Sequence, residues 1–598
     1  MPRSKLIELL FATCLFAVLA TLIWIRAGLV DHNIGIYIAC ENCFNLSVLH
    51  SDLVMFYLAS GALLLSGLIR ARLPGRFLHL LVGLVIVFYI ADLLVYHLFN
   101  YRLFLSDVAL YFAEWSTVWD QFSSGVGSIG TAVLILMAVL GLLLFLFLMP
   151  AARGLPARTF LFAALLTTLI TDLVLESPPF VNSWATENLF RANMRTGERV
   201  RYSPAFAAHF ARSVRPEEHQ QVYGAEPQSG RNVIVVLLES WSTWHSRAFG
   251  GFYDWTPRLD AAAQRGLKFT NFHSIGFATV NGLVGILGGQ DIWSPFLPLF
   301  ERSPFHSMWG IEKTLPRVFA NAGYETAFLT TGPISLYQKG DWMRNLGFSH
   351  VEGNEHPSYA GEKLYAFRSP SDTALYRRGA DWMQTAGQPY LLVLETVTTH
   401  QPYIDPDSGE RSLEKAMRYA DRAFGEFLVM LEATDFFEKG LLVVVSDHRS
   451  MTPVFKQELE QFGPGALSRV PAFVIGREIL PATVDDRVLS QGDLVPTFEL
   501  WLSGAARFGP EDANMLDNSG SGKCAFHERG DRRGLLAVIC PEGHGQVFLE
   551  GDKTRFIESM GLNEERQQAI LDIVTRERLA GLHRHQQTQN EDSEAIAE

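Results

Sequence analysis

At 598 residues the chain exceeds one ordinary domain, and its 48% hydrophobic content is concentrated in the first third, so two regions suited to different solvents are expected. A net charge of −13, with Arg and Lys scattered rather than clustered, excludes a nucleic-acid partner. Five cysteines are too few for a disulfide-dense scaffold.

A membrane-spanning helix needs roughly 20 mostly apolar residues, and the first third offers five candidates: Leu9–Ile25, Leu53–Ile69, Phe77–Phe99, Val133–Met149 and Thr159–Leu175. The fifth contains Asp172, which leaves a four-helix count open. Arg3 and Lys5 precede the first helix, Arg70, Arg72 and Arg76 join the second to the third, and Arg153 and Arg158 join the fourth to the fifth. The positive-inside rule assigns those segments to the cytoplasm. The other loops carry Asp31, Glu41, Asp107, Glu114 and Asp120 against Arg102, so everything after the fifth helix is expected outside. A cleaved signal peptide would leave the same location, but Trp24-Ile25-Arg26 is no small-residue cleavage site. Residues 1–176 are thus read as a polytopic α-helical membrane domain.

Within it, Val108, Tyr111, Phe112, Trp115, Trp119 and Phe122 recur at helical spacing. This is the pattern of an interfacial helix near 105–122, or of a short helix packed on its neighbours. Asp92 and Asp172 lie toward the outer ends of apolar helices, where partial hydration accounts for a carboxylate. Cys40 with Cys43, and Cys524 with Cys540, form two close pairs in an oxidising compartment, where each is a candidate bridge. Cys14, inside an apolar helix, is read as inert.

Pro178-Pro179 end the helical run, and residues 177–230 read as an amphipathic linker without a strong strand. From Asn232 apolar β-rich runs alternate with helical patterns: VIVVLLE, TPRLDAAAQRG, KFTNFHS, TLPRVFANAGY, ETAFLTT, YLLVLETV, LEKAMRYADRAFGEFLVMLEA, LLVVVSDH, PAFVIG and LVPTFELWL. Fully apolar strands separated by helices predict an α/β domain over 231–585, with a mostly parallel central sheet covered on both faces. Residues 586–598 read as an acidic disordered tail.

Such sheets bind ligands beyond the carboxyl ends of their strands. There, VIVVLLE ends in Glu239, LLVVVSDH ends in Asp447-His448, and YLLVLETV leads to Thr398, Thr399 and His400. Two carboxylates and an imidazole can hold a divalent cation with one position left for a nucleophile or substrate oxygen. Thr279 opens the small-residue helical run in GFATVNGLVGILGG. A hydroxyl there meets free backbone N–H groups and a favourable dipole, suited to a phosphate, although a plain N-cap reads the same way. Arg449 is a further phosphate-contact candidate, with an ion pair as its alternative.

Glu239, TPRLDAAAQRGLKFTNFHS, Thr279, SDH at 446–448 and GDLVPTFELWL, in that order, resemble the sulfatase branch of the alkaline-phosphatase superfamily over residues 232–505. Five helices ahead of an outside catalytic domain look like its lipoteichoic acid synthase and phosphoglycerol transferase group. The resemblance implies that Glu239, Thr279, Asp447 and His448 surround one divalent cation, manganese, magnesium or zinc. It further implies that His400 contacts the substrate phosphoryl group, and an imidazole opposite the metal could then protonate the departing diacylglycerol oxygen. By the same resemblance, a phosphoglycerol group moves from phosphatidylglycerol to a glycan or glycerophosphate acceptor through Thr279. The enzyme would be a multi-pass protein of the inner (cytoplasmic) membrane whose catalytic domain is periplasmic or extracellular. Phosphoethanolamine transfer and phosphodiester hydrolysis are the rival activities, and the oligomeric state is left open. Two departures stand out. Tyr337, Lys339, Asp341 and Trp342 do not match the group's Trp and Arg pocket in order, and Thr279 with Leu283 replaces the CxPxR signature of sulfate-ester hydrolysis.

Overall fold

The computed structural model describes residues 3–37, 51–69, 72–99, 102–104, 119, 129–148, 150, 153–174, 188–190, 193, 202–213, 220–223, 227–292, 305, 309–452, 454–508, 513–517, 523–530 and 534–597. The chain divides into two compact units. One comprises Met1–Leu105, Phe122–Gly197 and Thr452–Gln457; the other comprises Ser106–Gln121, Glu198–Met451 and Glu458–Glu598.

The first unit is helical, with α1 (Arg3–Tyr37), α2 (Leu53–Leu68), α3 (Arg72–Phe99), α4 (Ile129–Leu148) and α5 (Leu155–Val174). The helices lie where the apolar runs predicted them. Among the described residues, three stretches are long and apolar enough to cross a membrane: Lys5–Leu29, Pro74–His97 and Leu155–Val174. Leu53–Leu68 and Met137–Leu148 are shorter apolar helices. The 16 residues of α2 reach only ~24 Å at 1.5 Å per residue, short of a ~30 Å hydrocarbon layer.

Asp92 also departs from expectation. It is buried rather than hydrated, 2.7 Å from the Arg102 guanidinium, and accepts a hydrogen bond from the Leu103 N–H at 2.9 Å. Arg26 pairs with Asp52, which also accepts from Tyr89 and from Asn188. Apolar surroundings make an unpaired charge prohibitive, so each carboxylate is met by a donor. The Cys40/Cys43 pair lies outside the described residues, as does the segment 105–122 apart from Trp119. Of the linker, Pro204–Ser213 is a helix and Gln220–Tyr223 is a strand paired antiparallel with Ala505–Phe508. That strand, unexpected from sequence, exists because a partner nearly 300 residues away completes its hydrogen bonds.

The second unit is built on an eight-stranded sheet. Its strands are β1 (Asn232–Leu238), β2 (Leu267–Phe269), β4 (Glu325–Thr330), β5 (His350–Glu352), β6 (Tyr390–Glu395), β7 (Gly440–Ser446), β8 (Ala472–Gly476) and β9 (Thr483–Asp485); β3 (Phe272–His273) pairs instead with β10 (Leu489–Ser490). The order is β9-β2-β8-β7-β1-β6-β4-β5, parallel throughout except for β8, which runs against both neighbours. In β1, Val233, Val235 and Leu237 enter one core while Ile234, Val236 and Leu238 enter the other. A period of two with both faces covered is why the whole strand is apolar. Helices α6 (Pro257–Ala263), α8 (Asp372–Thr385) and α9 (Leu413–Ala433) contribute to the second core, and α7 (Thr279–Gly288) and α10 (Leu494–Ser503) to the first.

A separate antiparallel sheet follows, β11 (Ala525–Glu528), β12 (Leu535–Ile539), β13 (His544–Phe548) and β14 (Arg555–Met560), before α11 (Glu564–Ala597). The Cys524–Cys540 bridge is formed, with a sulfur–sulfur distance of 1.98 Å. Residues 586–597, expected to be disordered, continue α11 instead; Gln, Glu and Ala dominate there, and all three favour a helix once a preceding turn nucleates it.

Candidate metal centre and nucleophile

β7 lies beside β1 in parallel register, Leu238 opposite Ser446, so Glu239 and Asp447 leave neighbouring strands at one level. β6 flanks β1 on its other side, Leu237 opposite Glu395, and delivers the Thr396–His400 loop to the same edge. Thr396 Oγ1 accepts from the Glu239 N–H at 2.9 Å, and Thr399 Oγ1 donates to the Glu239 carbonyl, which fixes the loop against the strand end. Asp372, at the start of α8, accepts from the backbone N–H groups of Val397 (2.9 Å) and Thr398 (3.0 Å).

Thr279 is the first residue of α7, after an extended Ala278 whose N–H donates to the Asn281 side chain at 3.1 Å. Its hydroxyl donates to Glu239 Oε2 at 3.2 Å and lies 3.4 Å from His448 Nε2. His448 Nε2 is 3.5 Å from Glu239 Oε1 and 3.4 Å from Asp447 Oδ2. The structure therefore brings Glu239, Thr279, Asp447 and His448 together.

The donor set fits a divalent cation. The ligating atoms of Glu239, Asp447 and His448 lie within 4.8 Å of one another, and all three residues are buried. Asp447 Oδ1 accepts from the Ser240 and His448 N–H groups, yet its buried Oδ2 has no hydrogen-bond partner. His448 Nδ1 sits 2.8 Å from the Arg449 carbonyl. In the neutral ring Nδ1 must then be the donor, which turns the Nε2 lone pair toward the carboxylates. Three electron-rich atoms facing one another call for a positive charge between them.

The ionisation equilibria report the same tension. Burial favours a neutral His448, but the charges of Asp447 and Glu239 outweigh it and raise the ring to about 9. Burial and the neighbouring Glu239 charge push the Asp447 carboxyl well above its usual range. Burial would raise Glu239 as well, but hydrogen bonding to His448 and the charges of His400 and His448 hold it well below the usual carboxylate range.

His400 is close enough to Glu239 for each to shift the other's ionisation. Its Nδ1 lies 2.6 Å from the Gln401 carbonyl and its ring meets Phe367 edge-on at 4.4 Å. Burial lowers its pKa against the opposing pull of Glu239, so the resting imidazole is neutral with Nε2 as acceptor. The leaving-group acid expected from sequence must therefore first acquire a proton. Arg449 takes the ion-pair alternative. Its guanidinium is buried and taken up by both oxygens of Glu458.

Sequence reasoning passed over two residues that hold this edge together. Gln491 accepts from the Ile275 N–H at 3.0 Å and donates to the carbonyls of Ser446 (2.9 Å) and Asp447 (2.6 Å), joining the loop that precedes Thr279 to β7. Glu528 on β11 accepts from Asn281 Nδ2 at 3.3 Å, and its own N–H donates to the Ile275 carbonyl at 2.8 Å. Neither lies in a pattern that spacing could flag. Lys339, recognised only as a mismatch, donates to both oxygens of Glu395 at 2.7 and 3.0 Å.

Residues 231–505 match the family profile described as Sulfatase. Phosphoglycerol transferase I of Salmonella agona is 25% identical over 283 residues, 44% of this chain and 35% of that protein. Its counterpart from Citrobacter koseri is 24% identical over 220 residues, 33% and 28% of the two chains. The chain thus spans about a third of the length of these curated relatives. Among solved structures, an alkaline phosphatase superfamily protein from Vibrio parahaemolyticus has a TM-score of 0.50 at 18% identity, covering 67% of this chain and 98% of its own, a likeness of fold.

Proposed function

We propose that this chain, whose residues 231–505 form a sulfatase-family domain, is a membrane-anchored transferase that moves a phosphoglycerol group from phosphatidylglycerol to a glycan or glycerophosphate acceptor. The observation that carries the reading is the Thr279 hydroxyl, seated at a helix N-terminus and donating to Glu239 inside the Glu239/Asp447/His448 cluster. Bound by Glu239, Asp447 and His448, a divalent cation (manganese, magnesium or zinc) would supply positive charge beside the threonine oxygen and the phosphoryl oxygens.

The chain's own residues do the rest. Thr279 gives up its hydroxyl proton, which by way of solvent charges His400, and its Oγ1 forms a bond to phosphorus as the bond to the diacylglycerol oxygen breaks, leaving glycerophosphate esterified to the threonine. The free backbone N–H groups at the start of α7 receive the phosphoryl oxygens. His400, charged in this half-reaction, gives its proton to the departing oxygen. Neutral again, it takes the proton of the acceptor hydroxyl that attacks the phosphothreonine. The Cys524–Cys540 bridge supports an oxidising compartment for this unit, hence a periplasmic or extracellular domain anchored to the inner membrane.

The test incubates purified full-length protein with head-group-labelled phosphatidylglycerol and phosphatidylethanolamine and reads Thr279 by mass spectrometry. Glycerophosphate on Thr279, absent from Thr279→Ala, is the expected result. A phosphoethanolamine adduct would reassign the head group, and unchanged lipid consumption by Thr279→Ala would reject the nucleophile.

A further inference from the structure

Ser240 follows Glu239 directly and carries a backbone φ of 59°, the left-handed region that side chains disfavour and glycine occupies freely. It is buried, and three of its groups are engaged. The hydroxyl donates to Glu239 Oε1 at 2.7 Å, the N–H donates to Asp447 Oδ1 at 2.9 Å, and the carbonyl accepts from Ser450 Oγ. One residue in an unfavourable backbone geometry therefore touches both carboxylates of the cluster.

The left-handed turn explains how. An extended residue continuing β1 would alternate its side chain and N–H between the sheet faces and edges. The turn at Ser240 instead releases the chain from the strand while its N–H meets Asp447 on the neighbouring strand end. Its hydroxyl folds back onto the residue before it. For the turn alone glycine would serve better, and Asn would be tolerated. What serine adds over glycine is the hydroxyl, whose proton holds one oxygen of Glu239, while the other oxygen accepts from Thr279 at 3.2 Å. The carboxylate plane is thereby set, with Thr279 donating to one oxygen and Ser240 to the other.

We infer that Ser240 is a positioning residue that orients Glu239 and Asp447 as a cation-binding pair, its hydroxyl fixing the Glu239 carboxylate and its N–H fixing Asp447. The inference rests on the proposed cation reading of the site. Ligands held by a partner outside the coordination sphere typically lose ~10–100-fold in metal affinity when that partner is removed.

Ser240→Gly deletes the hydroxyl while easing the backbone, and Ser240→Ala deletes it and keeps the strain. Full-length protein in detergent, stripped with a chelator, would be titrated with Mn²⁺ by calorimetry and by the EPR signal of free Mn²⁺, alongside melting of the metal-free forms. Both variants should bind Mn²⁺ at least tenfold more weakly than the native chain. Metal-free Ser240→Gly should melt no lower than native, an opposition that a merely structural serine would not produce. Native-like affinity in Ser240→Gly and Ser240→Ala would overturn the assignment. If the native chain itself takes up no Mn²⁺, Mg²⁺ or Zn²⁺, the cation reading falls and takes this inference with it, a failure distinguishable from the first.

Discussion

Gly282 lies one turn into α7, and a Cβ built on it would sit 2.3 Å from the Asp447 carbonyl oxygen and 2.7 Å from that residue's Cα and carbonyl carbon. The obstacle is backbone, which cannot swing aside, and ordinary contact begins near 3.4 Å. Gly282→Ala must therefore drive the nucleophile helix about 1 Å away from the end of β7. Overpacking of this kind costs ~1–3 kcal/mol, against which alanine's better helix propensity returns about 1 kcal/mol. Net destabilisation should be small, a few degrees of melting temperature at most. Catalysis should suffer far more, since a displacement of ~1 Å at a reacting group can cost on the order of 100-fold, or about 2.7 kcal/mol of barrier. The assay is the initial rate of diacylglycerol release from labelled phosphatidylglycerol, run beside thermal melting. A variant that melts higher than native and turns over at the native rate would show that α7 and the end of β7 are not in close contact.

Three other outcomes are expected. Replacing Cys524 and Cys540 together by alanine opens a loop spanning 16 residues and should destabilise the second unit by about 3 kcal/mol; an unshifted melt would remove the bridge's role. Asp92→Ala leaves the Arg102 charge buried without its carboxylate and should cost ~3–5 kcal/mol, most of it recovered in the double variant Asp92→Leu/Arg102→Met. Equal losses in the single and double variants, read by thermal melting in detergent, would contradict the pairing. Because burial lowers the His400 pKa, its base form persists below the ordinary imidazole value of 6.5 and is lost only as pH falls further. Transfer from phosphothreonine to acceptor should hold its rate to below pH 6.5 and then decline, whereas His400→Gln should be slow and flat. A decline centred above pH 6.5 in the native enzyme would refute the assignment.

The strands were legible because burial on both faces writes itself as an uninterrupted apolar run, and the ligand types were legible because they stand at the ends of those runs. Glu239 and Asp447-His448 stand at the ends of such runs, and the family resemblance singled them out as a set. Ser240 could not be read this way, since a positive φ leaves no mark on residue identity when the occupant is neither Gly nor Asn. Gln491 was invisible for another reason: its partners Ile275, Ser446 and Asp447 offer only backbone atoms, which every sequence possesses. Arg449 beside His448 was suggestive by adjacency, but Glu458, nine residues on, captures it. In the first unit, hydropathy located α1 to α5 yet missed that Asp92 would find Arg102, because a pairing between side chains is a property of packing.

The grip of β11 on the threonine turn bears on where the catalytic unit can be cut. Glu528 anchors Asn281 and Ile275, and the strand carrying it pairs with β12 at the edge of a four-stranded antiparallel sheet that ends at Met560, with Cys524 just before it bridged to Cys540. A fragment trimmed at residue 505, where the family likeness stops, would keep Glu239, Thr279, Asp447 and His448 while losing the strand that holds Ile275 and Asn281 on either side of Thr279. An excised domain meant for enzymology should run through residue 560 at least.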